Sequence, residues 1–88
     1  MYPTNAYVIR EATDADEHAL RWLAELDRQR PLSGPALVGE IDGSPAAAVS
    51  LADGRVIADP FRETSVLTQI LHMRFAAMRA SSHAPSVP

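Results

Sequence analysis

The chain is 88 residues long, carries a net charge of −3 and contains no cysteine. Disulfides and thiolate metal sites are therefore excluded. The acidic balance argues against a general binder of phosphate backbones, which needs a concentrated basic surface, so no nucleic-acid partner is expected. Apolar residues make up 47% of the sequence, enough for the core of one small domain. No apolar run approaches the ~20 residues that span a bilayer, so no membrane partner is expected either.

All eight basic residues are arginine, which together with abundant alanine fits a bacterial genome rich in G and C. No basic stretch followed by an apolar block opens the chain, and a cytoplasmic location is the expectation. A domain this small buries only about 60% of its unfolded surface. Good packing or a partner subunit must supply what disulfides do not.

Residues 1–6 read as a loose lead-in, because Pro3 and Asn5 discourage regular structure. Tyr7 to Ala12 is aromatic and β-branched, as a strand requires. Thr13-Asp14-Ala15-Asp16 fits a capping box, and Asp14, Asp16 and Glu17 lie where a helix dipole favours negative charge. Ala15, Ala19, Leu20, Trp22, Leu23 and Leu26 then recur at helical spacing. Arg28 and Arg30 suit the negative end of that helix, and Pro31 closes it. Pro31 to Pro35 reads as a loop or a short turn of helix.

Ala36 to Ile41 reads as a strand, and Asp42-Gly43 as a two-residue hairpin turn. Pro45 fits the start of the returning strand, which runs over Ala46 to Leu51. Asp53-Gly54 marks a second turn, Arg55 to Ala58 a further strand, and Asp59-Pro60 its end. The last helix starts at Thr64 or Ser65 and runs to about Ala80. Residues 81–88 have the composition of a tail. The fold class expected is α+β: a small antiparallel sheet of about four strands with two helices, in the order β-α-β-β-β-α, forming a single domain over residues 7–80.

Two stretches carry a family resemblance. Ile9-Arg10-Glu11-Ala12-Thr13-Asp14-Ala15-Asp16 looks like the first strand and helix cap of the GNAT (Gcn5-related N-acetyltransferase) superfamily. Leu37-Val38-Gly39-Glu40-Ile41-Asp42-Gly43-Ser44-Pro45 looks like its second strand, turn and third strand. The resemblance covers roughly residues 7 to 58 and implies the opening half of a GNAT-like fold. It also implies an acetyl-CoA pyrophosphate site after the fourth strand, where glycines and a helix N-terminus present backbone N–H groups to the anion. The corresponding segment here, Asp59-Pro60-Phe61-Arg62-Glu63-Thr64-Ser65, departs from that pattern. It has no glycine, two carboxylates that repel phosphate and a proline that removes a donor, and only Arg62 is favourable. The later GNAT strands have no room in this chain. No cofactor is expected, and the chain is expected not to be a self-contained acetyltransferase.

Other candidate chemistry is sparse. Asp14 and His18 have a metal-compatible spacing, with Glu17 between them, but a solvated helix face accounts for all three. His72 could act as an acid or base; a boundary position satisfied by backbone or by Glu63 is the simpler reading. His83 falls in the tail. Ser33, before Gly34, and Ser50 lack a base to activate them. Asp42 and Asp53 are turn residues first. Arg28, Arg30 and Arg62 could gather an anion if the fold brought them together.

The last helix stands out. Val66, Leu67, Ile70, Leu71, Phe75 and Met78 form a broad apolar face with Met73 at its margin, while Gln69, Arg74 and Arg79 point to solvent or a partner. One reading is that this face covers the sheet beside the first helix, both helices sharing one side. The other is that the stripe is wider than one contact needs and that the sheet edges are open to pairing. The second makes Val66, Leu67, Ile70, Leu71, Met73, Arg74, Phe75 and Met78 interface candidates. The function expected is then a non-catalytic interaction or accessory domain that self-associates, preferably as a dimer, or docks on another protein. The alternatives are an incomplete acyltransferase subunit completed by another chain, and a small-ligand sensor.

Overall fold

A computed structural model describes residues 6–82. The described residues open with β1 (Tyr7–Glu11), a single 3-10 turn (Asp14–Asp16), α1 (Glu17–Leu26), β2 (Ala36–Ile41) and β3 (Ser44–Ser50). After these come β4 (Val56–Ala58) and α2 (Ser65–Ser82). The strands form one antiparallel meander in the order β1-β2-β3-β4. The expected α+β class and element order are those observed. The strand expected over Arg55 to Ala58 begins one residue later, and α2 continues through Ser82, two residues past the expected end.

Sequence chemistry explains the meander. The β2–β3 turn places Asp42 at φ 50° and Gly43 at φ 82°, the paired left-handed conformations of a tight hairpin. Asp42 also ties down the chain before β1: its N–H donates to the Ala6 carbonyl at 2.9 Å, and its Oδ1 accepts the Ala6 N–H at 3.1 Å. Ala6 thus belongs to the folded domain. The expected lead-in and tail otherwise fall at residues 1–5 and 83–88, outside the described residues.

The two helices lie on opposite faces of the sheet, which rules out the reading in which they share one. Strand register shows the separation. Ile9, Gly39, Ala47 and Ala58 align across the sheet, and in the neighbouring row Arg10, Val38, Ala48 and Ile57 align on the other side. Leu67 and Leu71 of α2 pack on Leu37, Ile41, Ala47 and Val49, whereas Leu23 and Ala24 of α1 pack on Ala48 and Ile57. Both inner strands are buried on both sides. Small residues allow this: the methyls of Ala46, Ala47 and Ala48 let each helix sit close to the sheet. Gly39 is tightest. A Cβ built on it would lie 2.7 Å from Leu67 Cδ1, so α2 rests directly on the β2 backbone there.

The first helix is shorter and rotated relative to expectation. It ends at Leu26 rather than near Pro31, because Arg28 turns into the left-handed region at φ 53°. Arg28 and Arg30 therefore lie beyond the helix, not in its last turn. Its buried residues are Leu23 and Ala24, while Trp22 and Ala15 are exposed.

Candidate interaction surface

Three polar networks tie the loops and helix ends to the sheet. In the first, Arg10 on β1 makes a bidentate pair with Asp16, Nη1 to Oδ2 at 2.7 Å and Nη2 to Oδ1 at 2.8 Å. Its Nε also donates to Glu40 Oε2 at 3.1 Å. Asp16 further accepts the Thr13 N–H at 2.7 Å, the carboxylate arm of the anticipated capping box. The Arg10 hydrogen bonds, followed by the Thr13 N–H, hold the buried Asp16 carboxyl well below the usual carboxylate range. Asp16 and Glu40 in turn hold Arg10 firmly charged. This bidentate geometry is strong, and it fastens the start of α1 to the sheet.

The second network covers an edge. Ala58 N–H donates to Asp27 Oδ2 at 3.0 Å, and the Val56 carbonyl accepts from Gln29 Nε2 at 3.0 Å. Arg55 then pins the loop after α1, donating to the Arg30 and Pro31 carbonyls at 2.8 and 3.0 Å. The β4 edge, expected to be open, is thus covered by side chains of this chain, a recurrent way of blocking strand addition. No spacing in the sequence marks Asp27 and Gln29 for this task, since both fall inside the expected helix.

The third network fills the start of α2. The Glu63 carboxylate accepts the Ser65 hydroxyl and the Ser65 N–H, the latter at 2.9 Å. Both bonds, the hydroxyl's foremost, lower the Glu63 carboxyl from its ordinary value. Asp59 Oδ1 accepts the Phe61 N–H at 2.8 Å, and Arg62 donates to the Ile41 carbonyl at 3.2 Å. The Ser65 N–H and the Arg62 guanidinium, two groups that could meet a phosphate here, are thus engaged by Glu63 and the Ile41 carbonyl.

The interface candidates on α2 divide into two sets. Leu67 and Leu71 have no exposed surface: the sheet takes them up, which removes them from any interface and corrects that assignment. Phe75 is half-buried against the same core, with the Arg79 guanidinium 5.6 Å from its ring centroid. Met78 is 41% exposed and borders a small cleft with Leu51 and Phe75. Val66 is 50% exposed and Met73 70%, while Ile70 is half-buried and Arg74 exposed. Every residue from Ala76 to Ser81 is exposed. The C-terminal third of α2 thus stands largely clear of the sheet.

The remaining candidates stay apart. Asp14, Glu17 and His18 are exposed, as is His72, which is not the boundary residue expected. Glu17 pairs with Arg21 at 2.8 Å. Among the described residues no three His, Asp or Glu converge as a metal site. Ser33 is exposed; Ser50 is buried, its Oγ accepting the Ala52 N–H at 3.2 Å. Asp53 accepts the Arg55 N–H at 3.0 Å, as a turn residue should. The Arg30 carbonyl lies against Arg55, two residues along the chain from Arg28 and near the start of β2, whereas Arg62 bonds the Ile41 carbonyl at the far end of that strand. That separation is roughly 17 Å along the strand, so the three gather no common anion. His83 lies outside the described residues.

A groove of about 510 Å³ opens between α1 and the loop before β2, with Thr13, Glu17, Leu20, Arg21, Leu32 and Pro35 in its walls. No described helix is long and apolar enough to cross a membrane. No protein-family model, curated protein or solved structure matches this chain.

Proposed function

We infer that the domain is a non-catalytic interaction module that self-associates, with the exposed side of α2 as its contact and a GNAT-like scaffold beneath it. The observation that carries this reading is the apolar row on α2 that the domain's own core leaves uncovered, above all Val66 and Met73. Two further observations support it. The β4 edge is covered from within, so strand addition there is disfavoured. The N-terminus of α2, where the resemblance implies a pyrophosphate, holds the Glu63 carboxylate, whose charge opposes a second anion. The test is light scattering on the wild-type chain and on Met73→Asp. The wild type runs as a dimer, and the variant as a monomer with an unchanged melting temperature. A strictly monomeric wild type at high concentration refutes the proposal. Micromolar binding of acetyl-CoA in calorimetry refutes its non-catalytic part.

A second reading, a small-ligand sensor, draws on the groove beside α1. Its volume falls within the usual range of small-molecule pockets, about 300–1,000 Å³, and the Glu17–Arg21 pair at its wall offers both charges. Chemical-shift changes confined to Leu20, Leu32 and Pro35 on titration of a fragment set would favour it; an unresponsive groove removes it.

A further inference from the structure

We propose that α2 pairs with α2 of a second copy of this chain, antiparallel, about a two-fold axis at Met73. The proposal rests on the self-association reading above and specifies its geometry. Val66, Ile70, Met73, Ala77 and Ala80 follow one another at steps of four, three, four and three residues. That alternation places all five on one seam of a helix, the spacing by which two helices interlock. The seam is distinct from the Leu67–Leu71–Phe75 row that packs on the sheet. Four of its five residues are exposed and Ile70 is half-buried, so the folded monomer leaves it uncovered.

The pattern of sizes selects the occupant. Large residues occupy the N-terminal part of the seam and alanines the C-terminal part. An antiparallel copy centred on Met73 sets Val66 opposite Ala80, Ile70 opposite Ala77, and Met73 opposite itself. Each large side chain then meets a small one, as close helix packing requires, and the flexible Met73 pair fills the centre. A parallel copy instead sets Val66 against Val66 and Ala80 against Ala80, crowding one end and leaving the other hollow. The helix dipoles add to the preference, because antiparallel pairing brings unlike ends together.

Area and charge set the strength. Eighteen helical residues span about 27 Å, so the pair falls at or below the roughly 800 Å² per partner of a standard interface. Arg74 lies beside Met73 on the flank, and the two-fold axis brings both Arg74 side chains to one side, where they repel. The association is therefore reversible rather than obligate. It also accounts for the exposed Ala76–Ser81 segment: a helix end that makes few contacts with its own domain has little to hold it, and a partner helix supplies the contacts.

The absence of native cysteine makes disulfide trapping specific. Single variants Met73→Cys, Val66→Cys and Ala80→Cys are incubated with glutathione disulfide and compared on non-reducing gels, with wild-type mass measured in parallel. Exposure at Met73 and Val66 keeps the fold intact, which circular dichroism verifies. Met73→Cys gives covalent homodimer about tenfold or more in excess of Val66→Cys, because proximity raises the effective thiol concentration. A mixture of Val66→Cys and Ala80→Cys gives the heterodimer. If the wild type is dimeric but Met73→Cys cross-links no better than Val66→Cys, the geometry is overturned while self-association stands. If the wild type stays monomeric, both fall.

Discussion

The contact between Gly39 and Leu67 gives the sharpest handle on how α2 is seated. Gly39→Ala places a methyl 2.7 Å from Leu67 Cδ1, 3.0 Å from Cγ and 3.1 Å from Cδ2. Moving one methyl aside does not relieve the clash, because the whole isobutyl group is involved. Leu67 is fully buried and has no solvent to swing into. Overpacking of this kind costs about 1–3 kcal/mol. Leu67→Val deletes one methylene and costs about 1 kcal/mol alone. Combined, the smaller side chain yields the space that the new methyl needs. The double variant is therefore less destabilised than the sum of the singles, by about 0.5 kcal/mol or more. Urea denaturation followed by circular dichroism measures all four corners of the cycle, and melting temperatures shift by about 4–8 °C per kcal/mol for a domain of this size. Additive effects, or a neutral Gly39→Ala, would show that α2 does not cross β2 at this point and would refute the placement of its exposed seam.

Other predictions address the polar networks and the second turn. Asp16→Asn breaks a buried charge-assisted pair and lowers stability by about 2 kcal/mol at neutral pH. Because Arg10 depresses the folded-state carboxyl, Asp16 contributes stability above its unfolded value near pH 4 and loses it as pH falls further. Wild-type and Asp16→Asn stabilities should thus differ by a constant amount above about pH 4 and converge below it; a gap that persists in acid refutes the assignment. Asp27→Ala leaves the Ala58 N–H on the β4 edge without its acceptor, costing about 1–3 kcal/mol. Light scattering should also show growth of higher aggregates in that variant, and a clean, stable species would show that the edge needs no cover. Gly54→Ala meets two obstacles at once, a left-handed φ of 77° and a Cβ 2.6 Å from Phe75 Cε2. It should lower the melting temperature more than Gly34→Ala, which has the left-handed φ but open space around it.

Much of the architecture is legible residue by residue. The strand over Ala36 to Ile41 has the bounds read from its composition, and the Asp42-Gly43 turn is the hairpin its residues require. The placement of α1 was less accessible. Asp27 and Gln29 have long-range partners on β4, and that attraction, invisible to helical periodicity, accompanies the early end of the helix; Leu23 faces inward as its spacing suggests, but beside Ala24 rather than Trp22. The opposite-face arrangement did leave a trace. Ala46-Ala47-Ala48-Val49 is apolar without alternation, the signature of a strand covered on both sides, but an alanine run also suits a helix and is easily discounted. On α2, spacing alone cannot divide a broad stripe between a core row and an outer seam. Ala77 and Ala80 escape notice because alanine carries little apolar weight, although their small size makes the seam self-complementary.

Sedimentation equilibrium of the wild-type chain across a wide concentration range tests the central claim most directly. Weight-average mass should climb reversibly from the 9.5 kDa of one chain toward about twice that value and level off there. A mass fixed at 9.5 kDa throughout would contradict the claim that the uncovered face of α2 exists to hold a second copy.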